Sequence, residues 1–161
     1  MSDRIVAAIF GGIIGSILQT ALGYIFYLTG LAKTNHLLMA GNFFLNESAL
    51  NTTAGYIVGL LADLVMGGFL AVVFVYLISI TGKDYWLLKA LGYTGFVWVL
   101  GAGLLDRAFN IVPVLQEHAL TNLLMFVTNI VYSVSMAYFV VRWGRFPSNI
   151  INQDYDDPDN R

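Results

Sequence analysis

The chain has 161 residues, enough for one compact domain and too few for two. Apolar residues make up about 62% of it when Gly is counted in place of Tyr, against roughly 45–50% for soluble domains, while charged residues are only 11%. A protein this small cannot hide so much apolar surface from water. That excludes a soluble enzyme, a basic nucleic-acid binder and a disordered chain.

A helix needs about twenty mostly apolar residues to cross the ~30 Å hydrocarbon core, and four stretches qualify. The first covers residues 5–31. Its charge-free run from Ile5 to Ala32 is 28 residues, against a signal-peptide core of roughly 7–15, so a retained helix is expected. Residues 32–52 follow as a half-apolar loop containing Leu37, Leu38, Met39, Phe43, Phe44 and Leu45. This pattern predicts a short helix lying at the membrane interface, capped by Asn35 or Asn42.

The second span covers residues 53–80 and carries one carboxylate, Asp63. The polar turn Thr81-Gly82-Lys83-Asp84 suits antiparallel neighbours. The third span, residues 86–107, has only sixteen consecutive charge-free residues, so Lys89 must snorkel for it to cross. Pro113 interrupts the next connection, and the fourth span covers residues 119–142. Residues 147–161 are an acidic, solvated tail with Asp154, Asp156, Asp157 and Asp159. Continuous apolar runs exclude a β-barrel, whose strands alternate. The expected fold is all-α: a polytopic membrane protein with four transmembrane helices in an antiparallel bundle, residues 1–146.

Lys and Arg set the orientation. The termini and the 81–84 turn share one side, with Arg4, Lys83, Lys89, Arg142, Arg145 and Arg161 against Lys33 and Arg107 on the other. Both termini are therefore expected in the cytoplasm, in a cytoplasmic membrane.

Helices associate in lipid through small residues and interhelical hydrogen bonds, and each span has a candidate stripe. Gly11, Gly15, Gln19 and Gly23 step by four in the first, as do Gly55, Gly59, Asp63 and Gly67 in the second. The third has Gly92, Gly95 and Asp106, and the fourth Asn122, Asn129 and Ser133. These glycines are expected to pack the bundle, with the Gly11/Gly15 seam facing a second protomer as the alternative. Gln19, Asp63 and Asn129 lie about ten to twelve residues from the outer ends of their helices, roughly 15–18 Å deep at ~1.5 Å per residue, and are expected to meet. Asp106, Arg107 and Glu117 are expected to form a polar group at the outer mouth, within reach of water.

An intramembrane carboxylate is a functional candidate by default, and Asp63 has two readings. One is a hydrogen-bonding group that ties helices together; the other is a proton or cation site. His36 and His118 lie in outer loops without a second ligand at metal-binding spacing, so polar interfacial roles are expected and no metal or cofactor is. No Ser has a membrane His or Lys beside it, which leaves an intramembrane hydrolase unsupported. Cys is absent, excluding disulfides, thiolate metal sites and Cys nucleophiles.

The opening Asp3-Arg4-Ile5 before a Gly-Gly-Ile-Ile-Gly helix, Val75-Tyr76-Leu77-Ile78 before Gly82-Lys83-Asp84-Tyr85, and Lys89 with Gly92 in the third span together resemble a family of small, uncharacterised four-helix membrane proteins of Firmicutes. The resemblance runs from about Asp3 to Trp143. It implies a bacterial cytoplasmic membrane and carries over no catalytic residue.

The function expected from these features is that of a non-enzymatic scaffold or regulatory subunit. The alternative is a small oligomeric transporter, or proton- or cation-coupled permeation unit, using Asp63. The expected partners are the lipid bilayer and a second copy or another membrane-protein subunit, with no nucleic acid.

Overall fold

The computed structural model describes residues 4–144; the acidic tail, with Arg145 and Arg161, lies outside them. Eight α-helices and one π-helical stretch occur in this region, with no strand among the described residues. Four spans are long and apolar enough to cross a membrane. The chain is a multi-pass, all-α membrane protein.

Helix α1 (Arg4–Leu28) packs along α8 (Ala119–Trp143) and α4 (Thr53–Thr81). The contacts explain its glycines. A methyl on Gly11 would press on Phe139 and the Met136 carbonyl, and one on Gly15 would come within 2.9 Å of the Tyr132 carbonyl. Gly12 meets the Gly67 backbone, while Gly67 lies under Ser16. The Gly11/Gly15 seam is thus spent inside the bundle, not on a second protomer.

Two short helices, α2 (His36–Gly41) and α3 (Glu47–Leu50), join α1 to α4. Asn35 caps α2, its Oδ1 accepting from the Leu38 amide at 3.1 Å. This segment packs on α4. Gly59 seats the Leu37 backbone, and Gly55 seats Ala49 and Leu50, with no room for a Cβ at either position. These two glycines therefore receive the loop, where a helix-to-helix seam was expected.

Gly82, at φ 79°, ends α4, and Tyr85, at φ 54°, precedes α5 (Trp86–Trp98). Basic side chains close the helix ends here. Lys89 Nζ donates to the carbonyls of Thr81 and Gly82 at 2.8 and 2.9 Å, and Lys83 Nζ to those of Val141 and Gly144 at 3.3 and 3.2 Å. Both place a cation where the helix dipole is negative.

The third span is not one regular helix. After Trp98 it widens into a π-helix (Val99–Leu105), then resumes as α6 (Asp106–Phe109), which ends at Asn110 with φ 51°. Helix α7 (Pro113–Glu117) starts on a proline, whose missing N–H costs nothing at a helix start. Gly92 and Gly95 pack against nothing: no atom lies within 4 Å of a Cβ built on either. They were expected in the bundle interior, and they face outward.

Candidate functional site

Helices α4 and α5 are held together near their common turn and part above it. Tyr93 OH donates to the Leu70 carbonyl at 2.8 Å, and its ring lies 5.4 Å from that of Phe74. One turn further on, α5 has turned to α8: Trp98 Nε1 donates to Asn122 Oδ1 at 3.0 Å, and its ring lies 5.0 Å from that of Phe126. The gap left between α4 and the π-helical stretch is a groove of about 790 Å³. Val58, Ala62 and Met66 line one wall, Val97, Gly101 and Ala102 the other. Leu61, Val65, Phe69 and Leu105 line it while remaining exposed, so it opens sideways between the two helices. Met39 and Phe43 of the α1–α4 connection border it as well.

Four polar side chains reach this apolar groove: His36, Asp63, Asp106 and Asn129. Asp63 is buried, with Oδ2 accepting from Thr20 Oγ1 at 2.7 Å. Asp63 and Asn129 also border a smaller cavity on the α1 side, and Gln19 borders that cavity alone. The three residues expected to meet in mid-membrane thus border one small cavity. Gln19, however, gives an amide hydrogen to a residue outside that cavity.

Gln19 Nε2 donates to His36 Nδ1 at 2.9 Å. On the far side of the ring, His36 Nε2 lies 2.7 Å from Thr128 Oγ1. The Thr128 hydroxyl already donates to the Met125 carbonyl at 2.7 Å. It therefore accepts from His36, which assigns the neutral, Nε2-protonated tautomer. Burial pushes the imidazole pKa down from 6.5 to about 4, in keeping with that assignment. His36 was expected at the membrane surface; it is buried and bridges α1 to α8. Its place in the otherwise apolar run before Leu37-Leu38-Met39-Ala40 was the one available signal.

Asp106 also departs from expectation. Arg107 and Glu117 are exposed, but Asp106 is buried at 4% exposure. Its Oδ1 accepts from the Val112 amide at 2.6 Å and its Oδ2 from Gln116 Nε2 at 3.4 Å. It fastens the connection to α7 and is no part of a water-exposed trio. His118 is exposed and precedes α8.

Residues outside the expected polar cluster complete the site. Ser16 Oγ donates to the Asp63 carbonyl at 3.3 Å, and Tyr132 OH to the Gly67 carbonyl at 2.6 Å. Hydroxyls are common in transmembrane helices, so only their partners mark them out. No protein-family model, curated protein or solved structure matches the chain.

Proposed function

We propose that the chain is a non-enzymatic, membrane-embedded binding and permeation unit that takes an amphiphile sideways from the bilayer into the groove between α4 and α5. The observation that carries this reading is the Asp63 carboxylate on the wall of a largely apolar groove of about 790 Å³, whose other carboxylate, Asp106, is engaged by the Val112 amide and Gln116. That volume lies within the roughly 300–1,000 Å³ of small-molecule sites, which combine apolar walls with few polar groups. No Lys or Arg lines the groove. A guest with an apolar tail and a positively charged head therefore suits it, the head pairing with Asp63 and the tail passing between α4 and α5 into the surrounding hydrocarbon.

The membrane proposed is a bacterial cytoplasmic one with both termini inside, on the Lys and Arg bias and the resemblance noted above. The test is a binding titration in lipid nanodiscs, using dodecylammonium as probe and following Trp98, which lines the groove, in a variant with Trp86 and Trp143 replaced by Phe. Saturable binding at least tenfold tighter than that of dodecanol, lost in Asp63→Asn, supports the reading. Equal responses to both probes overturn it.

The scaffold reading keeps one specific support. Gly92 and Gly95 present open backbone on α5, a surface on which another helix can approach closely. A second copy of the chain, or another membrane subunit, is proposed to pack there. Cross-linking from an introduced Cys at position 92 tests it.

A further inference from the structure

Asp63 and Asn129 border both the groove and the smaller cavity, of about 150 Å³, on the α1 side. Helix packing brings the two to one depth. Asp63 is bonded through its carbonyl to Ser16 and through its carboxylate to Thr20, so it lies level with about position 18 of α1. Tyr132 lies against Gly15, and Met136 against Gly11, so α8 runs antiparallel to α1. Asn129, three residues before Tyr132, therefore comes level with the same position.

Neither polar atom of the Asn129 amide has a hydrogen-bond partner among the described residues, and neither is sealed from the space beside it. Asp63 accepts from Thr20 at Oδ2, and its Oδ1 is open in the same way. The hydroxyls nearby are spent on backbone: Ser16 on the Asp63 carbonyl, Thr94 on Ala90 and Tyr132 on Gly67. Ser133 keeps its hydrogen, but it borders only the inner cavity. That cavity thus holds donors, from Asn129 and Ser133, as well as the Asp63 acceptor. Such a lining suits water, of which about five volumes fit at ~30 Å³ each. In the groove, an amide with one acceptor and two donors stands level with a carboxylate that only accepts.

A simple ammonium head pairs with the carboxylate and leaves the amide hydrogens without a partner on the guest, a loss in apolar surroundings. A hydroxyl, donor and acceptor at once, matches an amide. We propose that the groove selects long-chain amino alcohols over simple amines. The primary ammonium pairs with Asp63, and a hydroxyl on the adjoining carbon exchanges hydrogen bonds with Asn129. Because the two side chains lie at one depth, the hydroxyl has to sit beside the ammonium and not further along the tail. This inference rests on the proposed function and adds to it the residue that chooses the head.

The test is the Trp98 titration in nanodiscs at neutral pH, with dodecylammonium, 1-amino-2-dodecanol and 1-amino-6-dodecanol as probes. Each affinity is referred to the probe's concentration in the lipid. The two amino alcohols are isomers that differ only in where the hydroxyl stands. The 2-hydroxy isomer is expected to bind about three- to tenfold tighter than either other probe, the scale of one net hydrogen bond. In Asn129→Leu that preference disappears. A preference below about twofold overturns the proposal, and so does one that survives in Asn129→Leu. Should that variant fail to fold, equal affinities of the two isomers for the chain with Asn129 intact do the same. Saturable binding of dodecylammonium without any preference overturns this inference alone. No saturable binding of any probe overturns the proposed function with it, so the two failures are distinguishable.

Discussion

The bare Cα of Gly23 is what lets the His36 imidazole into the bundle: a methyl at position 23 would stand 2.8 Å from His36 Cδ2. Through that space the ring reaches Gln19 on α1 and Thr128 on α8. Gly23→Ala is expected to displace the ring and cost about 1–3 kcal/mol, the usual range for overpacking or for leaving a buried polar group unpaired. Chemical unfolding in mild detergent measures it. Gly92→Ala is the control: its Cβ meets nothing, so the monomer gains about 0.5–1 kcal/mol from helix propensity.

His36 also makes the fold pH-dependent. Its pKa is near 6.5 in the unfolded chain and about 4 when folded, so the unfolded state binds the extra proton between those values. The contribution is present in full above about pH 6.5 and is lost as pH falls towards 4. At ~1.4 kcal/mol per pH unit the loss is on the order of 3 kcal/mol. In His36→Gln the slope over this range is expected to flatten. A wild-type stability that stays constant from pH 7 to pH 4, with carboxylate titration accounted for in the variant, contradicts the buried neutral ring.

Asp106 fastens the connection between α6 and α7 through the Val112 amide. Asp106→Ala leaves that buried N–H unpaired and is expected to cost about 1–3 kcal/mol. Asp106→Asn keeps an acceptor in the same position and is expected to cost less than half as much. Equal losses in a thermal melt would show that the charge, and not the acceptor, matters.

The four spans were readable because apolar length alone decides them, and their ends fell within a few residues of expectation. Glycine partners were less readable, since spacing places Gly55, Gly59, Gly92 and Gly95 on faces without saying what each face meets. Two of them receive the α2–α3 backbone and two meet open space. Periodicity also brought Gln19, Asp63 and Asn129 to one region, but the loop that supplies His36 has no period. Neither did any residue pattern announce the π-helical stretch, and the groove follows from α4 and α5 parting there.

Orientation can be tested with single Cys variants at exposed positions. Reagent added outside intact cells is expected to label Ser48→Cys and Glu117→Cys and to spare Asp84→Cys. Labelling of position 84 alone reverses the proposed topology.

The most direct measurement of amphiphile binding is a photo-cross-linking map with a diazirine-bearing long-chain alkylamine in nanodiscs. Labelling is expected to saturate and to concentrate on residues 58–69 of α4 and 97–105 of the third span, with competition by dodecylammonium and at least a tenfold loss in Asp63→Asn. Labelling spread evenly over the lipid-facing sides of all four spans, unsaturable and unchanged in Asp63→Asn, would contradict a binding groove between α4 and α5.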